Sequence, residues 1–106
     1  MRGIIAVDFD GTLCEDRFPE IGAANHELIQ RLIDLRQQGW KLILWTCRNG
    51  SELREAVSFC GQHSLEFDAV NDNVDEVIER YGGDSRKIYA DLYIDDRARQ
   101  PGAVQI

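Results

Sequence analysis

The feature that most constrains this fold is a run of apolar residues, Gly3 to Val7, that ends abruptly in acidic residues. An uninterrupted apolar segment of this length is typical of a parallel strand that is buried on both faces of a sheet. Asp8 follows the run directly, and Asp10 and Gly11 come next. Two carboxylates at the end of a buried strand repel each other and lose hydration, so the segment indicates a site for a cation or a reaction.

The rest of the chain alternates between apolar runs and segments with helical periodicity. The runs predict strands over 40–45, 67–70 and 88–94, and the periodic segments predict helices over 25–38, from about 51 to 60, and over 74–81. Residues 14–24 are predicted to form a loop. This alternation predicts an α/β fold, a three-layer α/β/α, Rossmann-like parallel sheet with right-handed crossovers. With 106 residues, the chain is expected to be a single domain over 1–106.

Net charge and cysteine content indicate the class of partner and the cellular compartment. The formal net charge of −7 disfavours nucleic-acid binding and attraction to anionic membranes, both of which need a basic surface. The apolar run at the N-terminus is too short for a signal-peptide core or a membrane span. The three cysteines are odd in number and lack metal-site spacing, so they are expected to be reduced thiols in a cytoplasmic protein.

Polar side chains follow three of the predicted strands, at the point where each strand ends. They are Asp8 and Asp10, then Thr46 and Arg48, and finally Asp95 and Asp96. Because parallel α/β sheets gather their chemistry at the carboxyl ends of their strands, we expect these residues on one rim. Carboxylates suit Mg²⁺, and aspartate can attack phosphorus covalently. Thr46 and a cation, either Arg48 or Lys87, are the candidates for holding a phosphoryl group.

Four segments resemble the motifs of the haloacid dehalogenase (HAD) superfamily. Ile4 to Leu13 looks like its first motif, an apolar strand followed by DxDGT, and Leu42 to Thr46 is similar to its second. Tyr93 to Asp96 resembles the acidic fourth motif, and Lys87 is the best match to the lysine of the third. The resemblance covers essentially the whole chain. It implies a small member with a HAD-like core and no cap domain.

The resemblance implies a magnesium-dependent phosphatase that hydrolyses a small phosphomonoester through an aspartyl-phosphate. Asp8 would be the nucleophile and a metal ligand. Asp10 would be the general acid/base and would bind the metal through its backbone carbonyl. Thr46 and Lys87 would hold the phosphoryl group, and Asp95, together with Asp96, would complete the Mg²⁺ site. Without a cap the site would be open, and a homo-oligomer could cover it.

Alternative interpretations remain open at this stage. The chain could transfer phosphoryl groups to another acceptor, as mutases do, or bind a phosphorylated ligand or a metal without catalysis. An EF-hand calcium loop is disfavoured, because it needs further acidic or amide ligands and a closing glutamate, whereas Thr12, Leu13 and Cys14 follow the DxDG segment. Lys87 could be an exposed lysine, and Arg48 could instead pair with Glu52 or Glu55. Trp45 is expected to pack against the sheet.

Overall fold

The computed structural model describes residues 2–72, 74 and 89–95, and the predicted α/β fold is confirmed in this part of the chain. Its elements are β1 (Gly3–Val7), β2 (Cys14–Arg17), β3 (Glu20–Ala24), α1 (His26–Gln37), β4 (Trp40–Leu44), α2 (Gly50–Gln62), β5 (Ala69–Val70) and β6 (Leu92–Ile94). Asn25 caps α1, since its side chain accepts a hydrogen bond from the Leu28 N–H at 3.2 Å. Gly39, with a φ of 106°, turns the chain from α1 into β4.

Four of the described strands form one parallel sheet in the order β5-β4-β1-β6. Val7 of β1 is in register with Leu44 of β4 on one side and with Ile94 of β6 on the other. The chain runs outward from β1 through β4 to β5 and later returns to the opposite side of β1. The strand order therefore reverses at β1, and open α/β sheets bind ligands at such a reversal.

The side chains of β1 alternate between two hydrophobic clusters, and this explains its continuous apolar run. Ile5 and Val7 pack in a cluster with buried residues of α1 and α2, which therefore cover the same face of the sheet. Ile4 and Ala6 belong to the other cluster, which includes Val74. All five β1 residues are buried. Burial of each large aliphatic side chain stabilises the fold by about 1.5–3 kcal/mol.

The segment after β1 differs from the prediction. Residues 14–24, predicted to be a loop, form the antiparallel hairpin of β2 and β3, in which Arg17 pairs with Glu20. These strands could not be predicted from the sequence, because they contain aspartate, glutamate, glycine and alanine, which are depleted in strands. The turn is also made by Phe18 and Pro19, joined by a cis peptide, rather than by a common hairpin turn sequence. Tertiary contacts hold this hairpin, as described below.

Several predictions concern positions at the edge of the described residues. The helix predicted over 74–81 lies outside them except for Val74, and so does position 88 of the last predicted strand, which is observed over Leu92–Ile94. Lys87 and Asp96 also lie outside them. In the part of the chain that the structure describes, no helix has the length and apolar character needed to cross a membrane.

Asp68 links α1 to the start of the sheet, away from the ends of the strands where ligands bind. Arg36 donates to both of its carboxylate oxygens, at 3.0 and 3.3 Å, and the Leu42 N–H donates at 2.8 Å. Burial raises the pKa of Asp68, but the hydrogen bonds from Arg36 and Leu42 outweigh burial and hold this pKa below its usual value. The ionised form of Asp68 therefore stabilises the folded state.

We expect Asp68→Asn to destabilise the protein at pH 7 by about 1–3 kcal/mol, because it removes a charged acceptor with three donors. The pKa of Asp68 is lowered by folding. Its contribution is therefore present above the unfolded-state pKa of about 3.9 and lost as the pH falls through the folded-state value. Urea unfolding at pH 7 and pH 2.5 should show a large difference between variant and parent only at pH 7. The exposed Asp34→Asn is the control, and an equal difference at both pH values would contradict the assignment.

Candidate functional site

The carboxyl ends of β1, β4 and β6 surround a cleft of about 460 Å³. This volume lies within the usual range of small-molecule sites. The residues that line it are Asp8, Asp10, Asp16, Trp45, Thr46, Cys47 and Asp95. Of the site residues predicted from the sequence, the structure thus brings Asp8, Asp10, Thr46 and Asp95 together. Among the described residues, the lining includes four aspartates and neither lysine nor arginine.

Asp8 and Asp95 lie side by side because the pairing of β1 with β6 continues one residue past the strands. The Asp8 N–H donates to the Ile94 carbonyl at 2.8 Å. Neighbouring strands are about 4.8 Å apart, so the two carboxylates start from adjacent backbone positions. The Asp8 Oδ1 accepts a hydrogen bond from the Phe9 N–H at 2.8 Å. This contact fixes the orientation of the Asp8 carboxylate at the centre of the cleft.

Thr46 is held by one contact to the loop after β5 and one within its own loop. Its N–H donates to the Asn71 side chain at 2.8 Å, and its Oγ1 accepts from the Arg48 N–H at 3.1 Å. A hydroxyl carries one proton besides its acceptor lone pairs. Because Oγ1 is the acceptor in the contact with Arg48, the Thr46 O–H keeps its proton to donate to a group in the cleft.

Arg48 is buried, and its guanidinium is fully engaged within the protein. Its Nε and Nη2 each donate to one oxygen of Asp10 at 2.8 Å, which makes a bidentate ion pair. Nη2 also donates to the Glu20 carbonyl at 2.9 Å, and Nη1 donates to the carbonyls of Pro19 at 3.1 Å and Glu52 at 3.4 Å. All five N–H groups of the guanidinium are thereby used. None is left for the phosphate contact that the sequence predicted for Arg48.

The carboxylate that pairs with Arg48 is Asp10, whereas the sequence suggested Glu52 or Glu55. Both of those alternatives were near neighbours of Arg48 in the chain, and Asp10 is 38 positions away. The hydrogen bonds from Arg48 to Asp10 outweigh the effect of burial and raise the pKa of the guanidinium further above its usual value. Arg48 is therefore a permanent cation at this position.

Two aromatic rings flank the Arg48 guanidinium. Its carbon atom lies 5.0 Å from the centroid of the Phe9 ring and 5.0 Å from that of Phe18. Phe9 is fully buried, while Phe18 at the hairpin tip remains 56% exposed. Cation–π contacts at this distance are attractive. Arg48 thus joins the segment after β1 to the tip of the hairpin.

A solved structure of a conserved protein from Bacteroides thetaiotaomicron is 43% identical to this chain in sequence. The match has a TM-score of 0.79 and covers 96% of this chain and 80% of that one. The two proteins belong to one family. No protein-family model matches this chain, and no curated protein matches it.

In this member of the family, the cleft includes residues that the sequence did not single out as ligands. Asp16, on β2 of the hairpin, also lines the cleft. Trp45 was expected to pack against the sheet, and its ring does contact Tyr93 edge-on at 5.4 Å, yet the residue is 41% exposed in the cleft wall. Its position directly before Thr46, past the end of β4, was the available signal.

The cleft contains oxygen donors of the chemical kind that Mg²⁺ takes as ligands. Within residues 2–72, 74 and 89–95, no three His, Cys, Asp or Glu side chains are close enough to hold a metal ion together. Mg²⁺ commonly takes only one or two carboxylates and fills its other positions with water and phosphate oxygens. Asp8 and Asp95 supply that number. The Asp10 carboxylate is engaged by Arg48, so its backbone carbonyl is the group that would remain as a ligand.

The three cysteines of this family member differ sharply in exposure, which makes Cys47 a probe of the cleft. Cys47 is exposed, whereas Cys14 and Cys60 are buried. Burial raises the pKa of Cys60 to about 12, and burial followed by the charge of Asp10 raises the pKa of Cys14. Both buried thiols are therefore protonated and shielded near neutral pH.

We expect iodoacetamide at pH 8 to alkylate Cys47 alone in the folded protein. Peptide mass spectrometry over time measures the label at each cysteine. All three should react at similar rates in denaturant, and labelling of Cys14 or Cys60 as fast as Cys47 in the native protein would contradict this arrangement.

Proposed function

We propose that this protein is a magnesium-dependent phosphatase of the haloacid dehalogenase type, acting on a small phosphomonoester. The observation that carries the proposal is the convergence of Asp8, Asp10, Thr46 and Asp95 in one cleft, at the point where the strand order reverses. These residues were predicted from their positions at three strand ends and from the motif resemblance. On this proposal the sheet and its helices are the core of a three-layer, HAD-like domain without a cap.

The first half of the reaction uses Asp8 and Asp10. A carboxylate oxygen of Asp8 attacks phosphorus, and the bond between phosphorus and the leaving-group oxygen breaks with its electron pair staying on that oxygen. Asp10 gives a proton to this oxygen as the alcohol departs. The Thr46 O–H donates to a phosphoryl oxygen during the transfer. The hydrogen bond from the Phe9 N–H keeps Asp8 aimed at the substrate.

The second half regenerates Asp8. A water molecule loses its proton to Asp10 and attacks phosphorus of the aspartyl-phosphate, and the Asp8 oxygen leaves with the electron pair of the broken bond. Bound Mg²⁺, held by Asp8, Asp95 and the Asp10 carbonyl, would neutralise charge on the phosphoryl oxygens. The Asp10 carboxylate can exchange protons in both halves because it lines the cleft beside Asp8.

We expect the protein to release inorganic phosphate from p-nitrophenyl phosphate and from members of a metabolite phosphate panel. Removal of divalent cations with EDTA should abolish this activity, and Mg²⁺ should restore it. Ca²⁺ should not, because its larger and more flexible coordination suits the phosphoryl transition state poorly. A phosphate assay at matched ionic strength measures the effect. Full turnover in EDTA would exclude the magnesium-dependent mechanism.

A further inference from the structure

Arg48 touches three parts of the site without entering the cleft. It is 2% exposed and is absent from the residues that line the cleft. Its guanidinium holds Asp10, and its backbone N–H holds Thr46. Three further guanidinium donors hold the carbonyls of Pro19 and Glu20 at the hairpin tip and that of Glu52 on α2. Taking a charged side chain out of water costs free energy, which the ion pair and the hydrogen bonds of the guanidinium must offset.

From this geometry we infer that Arg48 is a positioning residue, which orients the Asp10 carboxylate toward the leaving group and ties that orientation to the hairpin of β2 and β3. The inference rests on the proposed phosphatase function and deepens it. Two parallel N–H···O bonds fix both the position and the plane of a carboxylate, which a single contact does not. Each oxygen of Asp10 still has a second lone pair, where a proton can be carried.

The hairpin is the second part of this arrangement. Arg48 lies between the ring of Phe9, next to Asp10, and the ring of Phe18, at the hairpin tip. The same hairpin places Asp16 in the cleft wall. A displacement of the hairpin would therefore change the contacts of the guanidinium and, through them, the direction of the Asp10 carboxylate. Proton transfer depends strongly on such alignment.

A comparison of leaving groups tests this role, because proton donation matters most for a poor leaving group. In Arg48→Lys, which keeps the charge and loses the bidentate geometry, kcat/KM for an alkyl phosphate such as ethyl phosphate should fall by about 100-fold. The value for 2,4-dinitrophenyl phosphate, whose leaving group needs no proton, should fall by less than about 5-fold. The ratio of the two values is the readout, since a general loss of folded protein lowers both equally.

A double-mutant cycle shows whether Arg48 acts through Asp10. In the Asp10→Asn background, Arg48→Lys should leave the ratio unchanged, because the group being positioned is already gone. Arg36→Lys is the matched control, since it breaks a similar bidentate pair with Asp68 far from the cleft, and it should leave the ratio unchanged in the parent protein. An equal fall for both substrates in Arg48→Lys, or a further change of the ratio in the Asp10→Asn background, would overturn the inference.

If Arg48→Lys does not fold, a second variant tests the positioning role of Arg48. Phe18→Ala changes an exposed side chain and removes one of the two aromatic rings that flank the guanidinium. It should change the ratio in the same direction by about 3- to 10-fold. An unchanged ratio in folded Phe18→Ala would overturn the link to the hairpin. The proposed function is tested separately, because turnover retained by Asp8→Asn on either substrate would exclude that function whatever the ratio in the Arg48 and Phe18 variants.

Discussion

Replacing Asp8 with asparagine should lower kcat for every phosphomonoester by about 10⁴-fold or more, which is the size of loss seen when a nucleophile is removed. The amide is close in shape to the carboxylate, but it carries no charge and attacks phosphorus poorly. Asp8 accepts the Phe9 N–H through Oδ1, and the amide oxygen of asparagine can still accept that bond. The fold should therefore survive, and the loss should lie in the chemical step.

Steady-state assays on p-nitrophenyl phosphate, with Tm measured on the same samples, check this expectation. Asp34→Asn on α1, an exposed carboxylate away from the cleft, is the matched control and should keep the parent activity. A Tm within a few degrees of the parent would show that Asp8→Asn is folded. Residual activity within 10-fold of the parent, roughly 1.4 kcal/mol in barrier height, would mean that Asp8 is not the nucleophile.

Truncating Ile5 to alanine should destabilise the protein by about 2–5 kcal/mol, a large part of the roughly 5–15 kcal/mol typical of a domain. Ile5 is completely buried in the central strand and packs in the cluster that joins β1 to both described helices. Alanine leaves a cavity there, because the strand cannot move toward the helices without breaking its ladders to β4 and β6.

Urea unfolding measures the cost, and Val57→Ala on α2 is the matched control. Val57 is 41% exposed, so its truncation should cost less than about 1 kcal/mol. Activity per folded molecule of Ile5→Ala should stay close to that of the parent below the unfolding transition. Equal destabilisation by the two substitutions would contradict the placement of β1 at the centre of the core.

The central part of this fold could be predicted because the sequence pattern of each element lies within a short stretch of the chain. The apolar run of β1 and the helical periodicity of α1 each depend on neighbours in sequence. The hairpin could not be predicted, since its strands consist mainly of residues with low strand propensity and it is held by Arg48, whose contacts to Pro19 and Glu20 span nearly 30 positions. Tertiary contacts, rather than local sequence preference, therefore determine the structure of the hairpin.

The site also combines features that the local sequence predicts with features that depend on tertiary contacts. The sequence indicated that Asp8, Thr46 and Asp95 end separate strands, and this was enough to expect them on one edge. The adjacency of Asp8 to Asp95 depends on β6 pairing directly with β1, which no local pattern reports. The partner of Arg48 was missed for a similar reason. The ion pairs suggested by the sequence joined Arg48 to glutamates within seven positions, while the observed pair joins two loops that are 38 positions apart.

Chemical trapping of Asp8 tests the central claim most directly. Asp10→Asn, which lacks the base for hydrolysis, is mixed with 2,4-dinitrophenyl phosphate and Mg²⁺, quenched, and reduced with borohydride, which converts an aspartyl-phosphate to homoserine. Peptide mass spectrometry should find homoserine at position 8 only, and only when both substrate and Mg²⁺ are present. Turnover of the substrate with an unmodified Asp8, or homoserine at any other aspartate, would contradict covalent catalysis by Asp8.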